Sequence, residues 1–357
     1  EYQRQGYKYG AWRGKHLPLP RLRIYPCGSD PLGAYIHTGK KEESKVKKLF
    51  CAAAALFMAL TMTSCSAVQV NERMFVQLMG ISETDGLYEL TVQVYNSTDS
   101  EDSDPQYKAL SGSGRSISEA ADMIMRSSGR QLFFGHCTAI YANESIIRDS
   151  GKLKALAGER ISAGCPVFFT HTPKEAVSAV SADELAGIVS HYQSEGLAER
   201  ADLKTVTAAA KNNTIAIIPM WDDKICGSAI IMPNSTSELN ISETAALDLM
   251  RSAKGIRLSV LGGSMTLGEA EGSVYYQSKE NGGEYVIDMS LKCRIDETGS
   301  SANAEEYAHE AERIISLSSE EICRRGLSEG FLSVILPQSH TSEGNITFAV
   351  NVTAEVS

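Results

Sequence analysis

Apolar and polar residues change their period along this chain, and the changes outline its elements. Residues 87–97 alternate Leu90, Val92 and Val94 with Thr91, Gln93 and Tyr95, as a half-buried strand does. The apolar run 74–82 precedes it, and Asp85-Gly86 between the two predicts a hairpin. Residues 98–106 are acidic and Ser-rich, and Ser111-Gly112-Ser113-Gly114 is a run of small residues; both read as loop. Ser116-Ile117-Ser118-Glu119 is a capping box that opens a helix through Ala120 and Ile124, with Gly129 as its stop. Residues 130–141 are apolar enough for one buried strand, which places Gly135 in its interior. A glycine inside a central strand weakens it unless the missing side chain is required, so Gly135→Val is expected to overpack the sheet. A helix over 145–160, a strand over 166–171 and helices over 173–180 and 182–194 follow.

Beyond a polar helical stretch at 203–211 and the turn Asn212-Asn213, strands 214–221 and 227–232 flank Asp222-Asp223. A helix begins at Ile241, and strands 272–277 and 285–294 are joined through Asn281-Gly282-Gly283. The helix over 303–325 sets Tyr307, Ala308, Ala311, Ile314, Ile315 and Ile322 on one face. Residues 346–356 alternate as a last strand. Helices and strands mix without a strict βαβ rhythm, which predicts an α+β fold of two to three mixed domains with largely antiparallel or mixed sheets. The expected divisions are 65–200, a connecting helix or linker at 201–213, and 214–357.

A different signal precedes all of this. Residues 49–68 form an uncharged apolar run directly behind Lys45, Lys47 and Lys48, the layout of a secretory signal peptide over 46–64. Its exit, Met62-Thr63-Ser64-Cys65, resembles a bacterial lipobox, with small residues where a peptidase must approach the backbone and a thiol to carry a diacylglycerol. About 20 apolar residues are also long enough for an uncleaved anchor helix. Cys65 at the point where the apolar region should end favours the lipoprotein. Residues 1–45 have no hydrophobic periodicity, and we expect them to be upstream sequence read in frame, with the start at Val46 from a GTG codon. A ribosome-binding site spelled through Lys41-Glu42-Glu43 suits that start, and the other reading is a disordered basic tail.

Charge sharpens the picture. The 357 residues carry 34 Lys+Arg against 44 Asp+Glu, a net charge of −10 that argues against nucleic acid as a partner. Residues 1–64 hold 11 basic and 4 acidic residues, so the remainder has 23 against 40 and a net charge of −17. Such a domain stands off an anionic leaflet. The eight Cys include no C-x-x-C pair, so neither a disulfide framework nor a zinc site is expected.

No catalytic constellation emerges. His136 and Cys137 are adjacent, and on one strand they would point to opposite faces, so His136 is expected to be structural. His171 has no second His at metal spacing, the Gly-rich pieces lack a Lys-Ser/Thr ending, and Gly-x-Ser-x-Gly is absent. No metal, cofactor or catalytic residue is assigned.

Several of these pieces recur in one order in a known family. Cys65 is followed by Leu78-Met79-Gly80-Ile81, then Tyr88 and Thr91-Val92-Gln93-Val94, then Gly114, Ser116 and Glu119-Ala120. Gly129-Arg130 and Leu132-Phe133-Phe134-Gly135-His136 follow, and later Gly227-Ser228-Ala229 and Glu243-Thr244. In these features the chain resembles the Ger(x)C family of spore germination lipoproteins. The Asp, Phe-Gly pair and Trp that family members carry near the end are missing from 327–344. The resemblance implies a non-enzymatic C subunit of a nutrient germinant receptor, anchored through diacylglyceryl-Cys65 to the outer face of the spore inner membrane. Its implied partners are the receptor's A and B membrane subunits. A lipid-anchored solute-binding protein, or a cell-envelope lipoprotein of another system, is the alternative class; the former should show repeated βα units around a cleft.

Overall fold

The computed structural model describes residues 72–96, 106–158, 160–194, 201–251, 255–268, 270–279, 282–299, 302–336 and 345–356. The expected upstream segment, signal peptide, Cys65, the acidic loop up to residue 105, Asn281 and the divergent stretch 337–344 lie outside these residues.

The hairpin forms as predicted. β1 (Arg73–Thr84) and β2 (Leu87–Asn96) pair antiparallel, with Thr84 opposite Leu87. Asp85 and Gly86 both take positive φ, 54° and 77°, the twist that a two-residue turn between right-twisted strands requires. The small-residue run expected as loop is instead the end of β3 (Gln106–Gly114), antiparallel to β2. Its glycine serves close approach: a Cβ on Gly112 would lie 2.5 Å from the Ala120 carbonyl oxygen, where α1 (Ile117–Ser128) crosses the strand. α1 is capped as expected, the Ser116 side chain accepting from the Glu119 amide and Gly129 closing the helix at φ 71°.

On its other side β1 pairs parallel with β4 (Gln131–Phe133) and then β5 (Ala139–Ala142). β6 (Val167–Phe169) and β7 (Ala216–Asp222) extend the sheet in parallel, and β8 (Lys224–Ile231) and β9 (Thr236–Asn240) finish it antiparallel. The order is β3-β2-β1-β5-β6-β7-β8-β9 with β4 beside β1, a mixed sheet. It therefore runs on past residue 213, and strands read from sequence as the start of a second unit lie in the first sheet.

Both faces are covered. Ile140 and Val167 join Ile124 of α1, Leu153 of α3 (Ser150–Gly158) and Val206 of α6 (Leu203–Asn212) in one core. Tyr141 and Phe168, one residue on, face Val177 of α4 (Pro173–Ala179) and Leu185 of α5 (Ala182–Ser194) in another. The single helix expected over 145–160 is two, α2 (Glu144–Ile147) and α3, because the Asp149 side chain accepts from the Gly151 amide and restarts the helix. The half-buried reading of β2 is also corrected: Thr91 and Gln93 are 1% and 5% exposed, under α4 and α5.

A second, five-stranded sheet follows α7 (Ile241–Met250). β10 (Ile256–Val260) and β11 (Gly263–Leu267) form a hairpin. β11 and β12 (Glu271–Lys279) succeed one another along one side of the long β13 (Gly282–Glu297). β14 (Asn345–Val356) runs parallel along the other side. α8 (Ala304–Glu329), with α9 (Leu332–Ile335), buries Tyr307, Ala311, Ile315 and Ile322 against this sheet. β8 serves both cores, Ala229 and Ile231 facing the first and Ile230 the second, where Leu239 of β9 joins it.

Candidate functional site

The segment around Gly135 and His136 departs from the sequence expectation. The strand expected over 130–141 is in two pieces, β4 and β5, separated by a 3-10 turn at Phe134–His136. β1 fixes the reason. Arg73–Phe75 pair with 131–133 and Leu78–Ile81 with 139–142, so five residues (134–138) stand opposite two (Val76 and Gln77). The surplus must leave the sheet, and the turn takes it up. The Cys137 amide donates to the Phe134 carbonyl at 3.0 Å, and the Thr138 amide returns to the Gln77 carbonyl at 2.8 Å. Phe134 points into the core, Gly135 and His136 into solvent, and Cys137 inward again.

The excursion builds a small aromatic surface. Phe75 and Phe133 stand edge to face with centroids 5.6 Å apart. His136 lies against both, 5.4 Å from Phe75 and 5.7 Å from Phe133. The Arg73 guanidinium sits 5.6 Å from the Phe133 centroid, a cation held by the ring face. The phenylalanines are half-buried and His136 is exposed. Strand pairing positions Arg73, Phe75 and Phe133, and the turn brings His136 to them. The result is an aromatic patch with one cation held against it, suited to contact rather than bond making.

The neighbouring thiol is not an activated one in the closed fold. A hydrogen bond with Cys165, reinforced by burial, holds the Cys137 thiol well above the ordinary cysteine range, whereas reactive cysteines are shifted down. His136 and Cys137 do not meet, though for a different reason than strand alternation. His171 pairs instead with Glu238, its Nε2 at 2.7 Å from Oε1 on an exposed surface. Sequence reasoning missed Arg325. It bonds the Glu238 carbonyl at 3.1 Å, Glu243 at 3.3 Å and Glu329 at 3.0 Å, tying α8 to β9 and the start of α7. An open depression of about 340 Å³, solvent mouth included, lies between α6 and the end of β8, lined by Val206, Ala209, Asn213 and Met232. Among the described residues no three His, Cys, Asp or Glu lie close enough to hold a metal ion, and no helix is long and apolar enough to cross a membrane.

Gly135 does not carry the sheet. A Cβ there would lie 2.7 Å from the edge of the Phe133 ring, the far end of a half-buried side chain and not backbone. Gly135→Val is therefore expected to cost less than about 1 kcal/mol, not the overpacking of a central strand. Thermal melting checks this, and a drop of more than about 5 °C would show that the ring cannot give way.

Comparison with known proteins finds a domain match over the segment that carries this geometry. The model of the spore germination protein N-terminal domain matches residues 66–157, which include β1 to β5 and the aromatic surface. No curated protein matches. Among solved structures, the crystal structure of the GerBC protein is similar at 13% identity and a TM-score of 0.42, over 78% of this chain and 96% of that one.

Proposed function

We propose that this chain is the lipid-anchored, non-enzymatic C subunit of a spore nutrient germinant receptor, held through diacylglyceryl-Cys65 on the outer face of the spore inner membrane beside the A and B membrane subunits. The observation that carries this reading is where the family match begins. It opens at residue 66, directly behind the cysteine that ends the apolar run. A lipobox and a germination domain in that order describe a tethered receptor component. The aromatic surface starts at Arg73, eight residues beyond Cys65 in the chain, and it is the face we assign to the membrane subunits. Two acyl chains on the glyceride hold the protein stably, since a single chain binds only marginally. The excess of acidic residues keeps the rest of the domain off an anionic leaflet.

Cys65→Ala is expected to abolish labelled-palmitate incorporation and leave the protein as an unprocessed precursor or released from membranes, with loss of the germination response to the receptor's nutrients. Undiminished labelling of the variant would refute the anchor. For the contact surface, His136→Ala should keep its melting temperature, since the ring is exposed, yet reduce co-purification with the membrane subunits. Co-purification at the native level would remove the surface from the interface.

A further inference from the structure

Two buried cysteines meet at the base of the turn that carries Gly135 and His136. Cys137 is 7% exposed and Cys165 2%. The Cys165 thiol lies 3.4 Å from the Cys137 carbonyl oxygen, and that of Cys137 lies 3.3 Å from the carbonyl of Ala139. Their backbones are neighbours. Ile140 of β5 pairs with Val167 of β6, so the same register carried back places Cys165 opposite Thr138, next to Cys137. Both side chains enter the same core, because the turn takes Cys137 out of the strand alternation. The two cysteines therefore lie side by side in one core, on the segments that lead into adjacent strands and 28 positions apart in the chain.

We propose that Cys137 and Cys165 form a disulfide that staples together the segments leading into β5 and β6, at the base of the turn that carries His136, making this pair a redox modification site of the protein. The oxidant is a disulfide, either a small-molecule disulfide of the glutathione type or a thiol–disulfide oxidoreductase. The Cys137 thiolate attacks one sulfur of that disulfide, forms a mixed disulfide and releases the other half as a thiol. The Cys165 thiolate then attacks the Cys137 sulfur and displaces the second half. Two protein thiols lose two electrons and two protons, and the oxidant's disulfide becomes two thiols. Cys137 takes the first step because it is the more exposed of the two and lies one residue from the solvent-facing His136, so opening of a single 3-10 turn uncovers it. The neighbouring Cys165 and burial hold the Cys137 thiol protonated, which makes the reaction slow in the closed fold and confines it to moments when the turn opens. The bridge closes a long loop, so it stabilises chiefly by restricting the unfolded chain.

The test uses the full chain in detergent, reduced, freed of reductant and exposed to oxidised glutathione without denaturant. Alkylation under denaturing conditions and tryptic digestion should then yield peptide 131–148 linked to peptide 161–174, while half-exposed Cys226 serves as the accessible control. The link should be absent after Cys137→Ala or Cys165→Ala. The oxidised chain should melt about 5 °C higher than the reduced chain, and dithiothreitol should return it to the lower value. Comparing oxidised with reduced native chain does not depend on either variant folding. The proposal is overturned if both cysteines are recovered separately alkylated or separately glutathionylated. It is equally overturned if the link appears only in denatured chain, or if the linked chain melts no higher than the reduced one.

Discussion

Gly80→Val is expected to destabilise the chain by about 3 kcal/mol, a fall in melting temperature of roughly 10 °C. Gly80 lies in β1 where α4 begins, and its Cβ would sit 2.2 Å from the carbonyl oxygen of Pro173, 2.8 Å from that carbonyl's carbon and 2.9 Å from a Val177 methyl. The first two are backbone atoms at the start of a helix, so no rotamer change relieves the clash. α4 would have to lift from the sheet, taking Val177 out of the core it shares with Leu78, Tyr141 and Trp221. Thermal and urea denaturation measure the loss, and a variant melting within about 2 °C of the native chain would show that α4 is not seated as described. Gly135→Val is the matched control, because its only close neighbour is a movable ring.

Gln93→Leu is the second large effect, expected to cost about 2–4 kcal/mol although Leu is close to Gln in size. The Gln93 amide reaches the junction between α4 and α5. Its Nε2 donates to the carbonyls of Val177 at 2.9 Å and Val180 at 2.8 Å, and its Oε1 accepts from the Ala182 amide at 3.1 Å. Those groups are the end of one helix and the start of the next, which lack partners of their own. An apolar side chain leaves three backbone groups buried and unpaired, which costs more than the net worth of the bonds lost. Faster hydrogen exchange at the Ala182 amide should accompany the drop in stability. A cost below about 1 kcal/mol would mean that water replaces the side chain there.

The contrast between Gln93 and its neighbours shows where sequence reading stops. Leu90, Val92 and Val94 identify β2 and its core face, because alternation is a local property of the strand. Thr91 and Gln93 on the other face look solvent-exposed in sequence. They are buried because α4 and α5, more than 80 residues later, cover them. The same division runs through the candidate site. The stop at Gly129 and the turn at Asp85-Gly86 are legible, since each depends on a few adjacent residues. The break at Phe134–His136 is not, since it arises from the mismatch between five residues and the two of β1 facing them, and an apolar run carries no record of its partner's length.

The sequence by itself determined the order of most elements, the helix starts at Ser116 and Asn303, the hairpins at Asp85-Gly86 and Asp222-Asp223, and the likeness of residues 66–157 to a spore germination N-terminal domain. All of these rest on short-range patterns of capping, turn chemistry and period. Only the tertiary structure decided that β7 to β9 complete the first sheet, that β14 lies parallel to β13, and that Ser111–Gly114 is strand. It alone brought Cys137 to Cys165 and His136 to Phe75. Strand partners and cross-strand contacts depend on which distant segments bury their apolar faces together, and a single strand's pattern shows that it has such a face without showing what covers it.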